Sequence, residues 1–309
     1  MTMKGRHFIN LIDFTSEELT SILDFADELK AKQREAVPHK LLAGKTLAML
    51  FEKTSTRTRV SFEVGMHQLG GHALFLEHRT IQIGGTGETI GDTARVLSRY
   101  VNGIMARTYK HSTIEEIARN STVPVINGLS DLSHPCQIMA DLMTVREEFK
   151  ELKGLRIAWL GDGNNVCNSL LIGCAKFGAD IAVATPVGYE PSPEYVSAAK
   201  EAAKESGAKI EIHNSPEDAV RHADVVCTDT WVSMGDEAQQ EERLRLFPPY
   251  KLNLSLLRKA KDSAIVLHCL PAHRGYEITN EVIDGPQSRV FDEAENRLHA
   301  QKAIMALTM

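Results

Sequence analysis

Short apolar runs alternate with longer stretches of helical spacing along almost the whole chain, and this alternation constrains the fold most. A run of strand length followed by an amphipathic run, repeated, is the mark of helices packed on a mainly parallel sheet. The first series opens with a helix over residues 15–33, where Thr15-Ser-Glu-Glu18 forms a capping-box pattern and Leu19, Ile22, Leu23, Ala26 and Leu29 share one face. Strands are expected at 46–52, 72–77, 103–107 and 123–127, with helices at 56–69, 91–101, 112–120 and from His134 onward. Charge density rises near 146–155, and a second series begins. It predicts strands at 155–160, 180–185, 209–212, 224–230 and 263–267. Helices are expected between them at 166–177, 193–206, 216–222 and 253–260, with a long loop over 232–250. A last helix from Asp292 keeps Ala294, Leu298, Ala300, Ile304 and Leu307 on apolar positions.

A chain of 309 residues suits about two domains. The expectation is an α/β protein of two domains, each with a mainly parallel sheet flanked by helices, joined by interdomain helices. Residues 1–145 form the first domain and 150–291 the second, and helix 292–309 packs back on the first.

The totals exclude several classes. A net charge of −6 argues against a general nucleic-acid binder. No apolar run reaches the ~18 residues needed to cross a membrane, and Met1 to His7 leads into no secretory apolar core. Five scattered cysteines without a C-x-x-C pair fit reduced thiols in a cytoplasmic protein, with no zinc site. No other metal or cofactor is expected.

The polar motifs gather at strand ends. Ser55-Thr56-Arg57-Thr58-Arg59 follows a strand and opens a helix, so its hydroxyls, guanidiniums and backbone N–H groups can cradle phosphate. The other reading is a hydroxyl-capped helix with a solvated basic first turn. The glycine-rich stretch 78–92 reads as an exposed loop. His134-Pro135-Cys136-Gln137 sits at another strand-to-helix junction, with Pro135 in the first turn. Gly161-Asp-Gly163-Asn-Asn165 invites a dinucleotide reading, but the third glycine falls on Val166 and the next strand ends without an acid. Asp229-Thr-Trp-Val-Ser233-Met234-Gly235 and His268-Cys269-Leu270-Pro271 end two further strands. Ligands of open parallel sheets bind at such carboxyl ends. The set therefore predicts a cleft between the domains, with an anion on one wall and an amine or amino acid on the other.

Taken together and in this order, Ser-Thr-Arg-Thr-Arg, His-Pro-Cys-Gln, Asp-x-x-x-Ser-Met-Gly and His-Cys-Leu-Pro resemble the ornithine branch of the aspartate/ornithine carbamoyltransferase family. The resemblance spans nearly the whole chain. It implies a reaction of carbamoyl phosphate with L-ornithine giving citrulline and phosphate, in a homotrimer whose active sites lie between subunits. It implies that Ser55, Thr56, Arg57, Thr58 and Arg107 hold the phosphate, and that Arg57, His134 and Gln137 surround the carbamoyl group. Pro135, Cys136, Cys269, Leu270 and Arg297 complete that site, and Gln82 reaches in from a neighbouring subunit. Arg57, Arg107, His134, Gln137 and Cys269 are the implied catalytic set. Asn165, Asp229, Ser233 and Met234 are implied to bind ornithine.

Overall fold

Helix α1 (Ser16–Arg34) starts where the capping box places it: the Thr15 hydroxyl accepts from the Glu18 N–H, and the Glu18 carboxylate accepts from the Thr15 N–H. The computed structural model describes residues 3–78, 87–233, 235 and 237–309. The chain divides into two units, Met1–Met139 with Arg297–Met309, and Ala140–Asn296.

In the first unit, β1 (Thr46–Phe51) runs into α2 (Thr56–Gln68), and β2 (His72–Glu77) precedes α3 (Ile90–Leu97). Strand β3 (Gly103–Arg107), α4 (His111–Asn120) and β4 (Val125–Leu129) follow, and α5 (Pro135–Phe149) begins in this unit and runs on past Met139 into the second. The four strands are parallel in the order β2-β1-β3-β4. β1 and β3 are buried on both faces, which explains their nearly unbroken apolar sequence. Ala48, Leu50, Ile104 and Ala106 pack on Ala94 of α3 and on Ile114 and Ile117 of α4.

From β1 the chain first moves outward to β2, then returns to the other side as β3. The turns leaving β1 and β3 therefore open side by side, with Phe51 in register with Arg107. This is the switch point where an open sheet leaves room for a ligand.

The second unit repeats the device. Strand β5 (Arg156–Leu160) leads to α6 (Asn165–Phe177), β6 (Asp180–Ala184), α7 (Pro193–Ser206), β7 (Ile210–His213), α8 (Pro216–Val220) and β8 (Val225–Thr228). Helices α9 (Gln240–Leu246) and α10 (Leu254–Leu257), β9 (Ile265–His268), α11 (Asn280–Ile283) and α12 (Val290–Thr308) complete the chain. The parallel order β7-β6-β5-β8-β9 puts the switch between β5 and β8, with Leu160 beside Thr228. Among the described residues no helix is long and apolar enough to cross a membrane.

Several elements depart from the expected pattern; the helix expected at 91–101, for one, ends at Leu97. The strand expected at 123–127 lies at Val125–Leu129. Val123 is lost to the ladder because the Ser121 hydroxyl binds both its N–H and its carbonyl, and Pro124, which has no N–H, reaches β3 only through its carbonyl, which accepts from the Ile104 N–H at 2.9 Å. The expected loop 232–250 contains α9, whose buried anchor is Arg243 rather than an apolar residue, so hydrophobic periodicity misses it. The helix expected at 253–260 is only the short α10, capped by Asn253.

Candidate active site

In the first unit the site grows from the turn between β1 and α2. Ser55 caps α2, its hydroxyl accepting from the Thr58 N–H at 3.2 Å. The first turn of α2 carries no acid, so Arg57 meets the positive end of the helix dipole there, while Arg59 pairs with Glu63 one turn further on at 3.0 Å. Thr58 is fully buried, and Arg297 Nη2 of α12 donates to its hydroxyl at 2.8 Å. Arg107, buried, ends β3 on the neighbouring side of the switch point.

The loop after β4 fixes His134. Asn127 Nδ2 donates to Ser133 Oγ at 2.9 Å and to the Ile9 carbonyl at 3.0 Å. His111 Nδ1 lies 2.7 Å from Ser130 Oγ, and Asp131 accepts from the His111 N–H at 2.7 Å. His134 and Gln137 are buried at the start of α5, with Pro135 in its first turn. The imidazole of His134 is held well below its usual value, first by burial and then by the charges of Arg297, Arg107 and Arg57. Three guanidiniums from α12, β3 and α2 thus converge on one neutral imidazole. Such a cluster binds an anion strongly, and the neutral ring and the Gln137 amide can hydrogen-bond an uncharged polar group beside it. Cys136 faces away, donating its thiol proton to the Asn127 carbonyl at 3.3 Å, and burial pushes it up to about 12.

In the second unit the site lies at the switch between β5 and β8. Asn164 caps α6, its side-chain oxygen accepting from the N–H groups of Val166 and Cys167, and its Nδ2 donates to Asp229 Oδ2 at 2.8 Å. Asn165 follows, half-buried, with its Oδ1 accepting from the Val166 N–H. The other carboxylate oxygen of Asp229 accepts from the Cys269 thiol at 2.9 Å. Burial and the Asp229 charge raise Cys269 well above the ordinary thiol value, so it is a proton donor rather than a thiolate.

Leu270, with φ of 56°, donates its N–H to His268 Nδ1 at 2.9 Å. That leaves His268 Nε2 to donate to Glu277, also buried, at 3.1 Å. Asp229, His268 and Cys269 place one potential ligand atom each within 4.8 Å of one another. Cys269 is already engaged with Asp229, and His268 with Leu270 and Glu277. The Cys269 thiol and the Asn164 amide, one on each carboxylate oxygen, orient Asp229.

Gly163 shows why this turn is not a dinucleotide site. A Cβ there would lie 2.2 Å from the Pro191 nitrogen and 2.4 Å from the Glu190 carbonyl carbon. The close approach that a second glycine allows a pyrophosphate in a nucleotide fold is taken here by the chain itself.

Ser233 is half-buried two residues beyond Trp231. Arg243 of α9 donates to the Trp231 carbonyl at 2.8 Å and to Asp162 at 2.6 Å, tying the start of this loop to the turn that carries Asn164 and Asn165. Gln82 and Met234 lie outside the described residues. The sequence reads the Asn164-Asn165 pair as a polar ligand contact or a helix cap, and Asn164 is the cap; it does not point to Asp162 and Arg243. The signal for Asn164 was its N-cap position; the other two pair across 81 positions and leave no local trace.

Comparison with known proteins gives concordant matches. Residues 6–147 match the family model "Aspartate/ornithine carbamoyltransferase, carbamoyl-P binding domain", and residues 153–308 match the "Asp/Orn binding domain" of the same family. The ornithine carbamoyltransferase of Methanocorpusculum labreanum is 57% identical over 304 residues, 98% of each chain. A relative from Pyrococcus furiosus, named as an anabolic ornithine carbamoyltransferase, is 54% identical over 309 residues, 100% of this chain and 98% of its own. The solved structure of a Pyrococcus furiosus ornithine carbamoyltransferase superposes with a TM-score of 0.97 at 54% identity, covering 100% of this chain and 98% of the other.

Proposed function

The chain belongs to the aspartate/ornithine carbamoyltransferase family, and we propose from that premise that it transfers the carbamoyl group of carbamoyl phosphate to the side-chain amine of L-ornithine. The products are L-citrulline and phosphate. The observation that carries this reading is the convergence of Arg57, Arg107 and Arg297 on a neutral His134.

In this reading the phosphate sits on the first turn of α2, held by Ser55, Thr56, Arg57, Thr58 and Arg107. Arg297 supplies charge and keeps Thr58 in place. The carbonyl of the carbamoyl group faces Arg57, His134 and Gln137. Ornithine is held in the second unit by Asn165, Asp229, Ser233 and Met234, with Asp229 beside its α-amino group. Asn164 and Cys269 donate to Asp229, which supports a fixed carboxylate in that role.

The reaction forms one C–N bond and breaks one C–O bond. The ornithine side-chain amine must be neutral to attack, although such an amine ordinarily has a pKa of about 10.4. As it adds, the carbonyl oxygen gains negative charge, which the Arg57 guanidinium and the N–H of His134 stabilise. The phosphate then leaves with the C–O electron pair, and the amine proton passes to the leaving phosphate. Cys269 is too high in pKa to act as a nucleophile, so it serves by orienting Asp229.

The same reading makes the enzyme a cytoplasmic homotrimer in which Gln82 enters the site of a neighbouring subunit. Its free cysteines support a reducing compartment. The test is a colorimetric citrulline assay with carbamoyl phosphate and ornithine, run beside aspartate and putrescine. Turnover confined to ornithine is expected; its absence, or preference for another acceptor, refutes the assignment.

A further inference from the structure

Lys302 is a buried cation that the reaction above does not use. It lies on α12 and is inaccessible to solvent. An ammonium has three protons to donate, and three acceptors meet it. These are Gln68 Oε1 at 2.9 Å, Gln33 Oε1 at 3.0 Å and His39 Nε2 at 3.2 Å. His39 donates from Nδ1 to the Val37 carbonyl at 2.9 Å, which leaves Nε2 to accept. The acceptors come from α2, from α1 and from the connection after α1, and all three are neutral.

Burial pulls Lys302 down to about 8. A buried ammonium with neutral partners is a weak way to stabilise a fold, since an apolar side chain of similar volume often does as well or better. The cage fits a geometric role instead. Helices α2 and α12 meet at Gly65, where a Cβ would come within 2.9 Å of Met305 Cε and 3.3 Å of Lys302 Cγ. A smooth glycine contact of this kind allows close approach but resists sliding poorly. Polar ties flank it on either side, Arg297 to Thr58 and Lys302 to Gln68. A slip of α12 by one residue, about 1.5 Å along the axis, displaces Arg297 from its 2.8 Å contact with Thr58. Three hydrogen bonds in three directions block that slip.

We propose that Lys302 is a positioning residue for carbamoyl phosphate binding, holding α12 in the register that keeps Arg297 on Thr58. This rests on the functional reading above. The expected result for Lys302→Met is a KM for carbamoyl phosphate raised about tenfold, the size of one lost charged hydrogen bond. The KM for ornithine and the melting temperature stay near wild type. A purely structural lysine gives the opposite split, a lower melting temperature with both KM values unchanged, and that result overturns the proposal. Gln68→Leu, at a half-buried position, removes only the tie to α2; it raises the same KM, and an unchanged value likewise overturns the proposal even if Lys302→Met fails to fold. A wild-type protein that makes no citrulline refutes the functional reading instead. Calorimetric titration of both variants with carbamoyl phosphate then still decides the role of Lys302, and equal affinities reject it.

Discussion

Asn164 Nδ2 donates to Asp229 Oδ2 at 2.8 Å, joining the turn after β5 to the turn after β8 across the switch point of the second sheet. One amide thus caps a helix and holds a carboxylate 65 positions away.

This bond predicts how Asp229→Asn behaves. The substitution keeps size and removes the charge proposed to face the ornithine α-amino group. The KM for ornithine should rise roughly 30-fold, the equivalent of about 2 kcal/mol for a lost charge-assisted hydrogen bond. The KM for carbamoyl phosphate should be unchanged. Steady-state kinetics with each substrate varied in turn checks the split.

Arg57 is assigned to the developing negative charge on the carbonyl oxygen. Arg57→Ala should therefore lower kcat by about 100- to 1000-fold. Arg57 is only half-buried, and the Ser55 cap of α2 does not depend on it, so the circular dichroism spectrum and melting temperature should hold.

His134 makes stability depend on acid. In the unfolded chain its imidazole takes a proton near the ordinary value of about 6.5. In the fold, burial and three guanidiniums keep it neutral well below that. The unfolded state then binds more protons as pH falls through 6.5, so stability falls with it. The His134 share of the loss between pH 7.5 and 5.5 is about 1 kcal/mol. Urea titrations at both values should show a smaller loss in His134→Gln than in wild type, and equal losses would refute the assignment.

Arg243 and Asp162 are both buried and joined at 2.6 Å. Removing one partner takes away the buried counter-charge of the other, at a cost of about 3 kcal/mol. Arg243→Leu should lower the denaturant midpoint by a corresponding amount. Adding Asp162→Asn should restore part of it, because that buried charge is then gone. Additive losses in the double variant would show that the pair is not coupled.

Much of this molecule is legible in the sequence because parallel strands covered on both faces are nearly continuous apolar runs, and helices between them keep a 3.6-residue period. Where local chemistry competes with that pattern, the boundaries move: Ser121 and Pro124 delay β4, and Arg243 hides α9. The proposed site residues Ser55, His134 and Asp229 stand out because polar groups collect at the carboxyl ends of such strands, whereas Arg107 and Cys269 enter only through the family resemblance.

The sequence by itself determined the alternation of strand and helix and the polar turns that end the strands. Only the tertiary structure decided which turns became neighbours. The orders β2-β1-β3-β4 and β7-β6-β5-β8-β9 set Arg107 beside the turn after β1 and Asp229 beside Asn164. The Arg297–Thr58 bond closes 239 positions, and the Lys302–Gln68 bond 234. Local periodicity records which face of an element is buried, because that is what water exclusion selects residue by residue. Which element lies alongside depends on packing and hydrogen bonds between distant segments, and these leave no periodic mark.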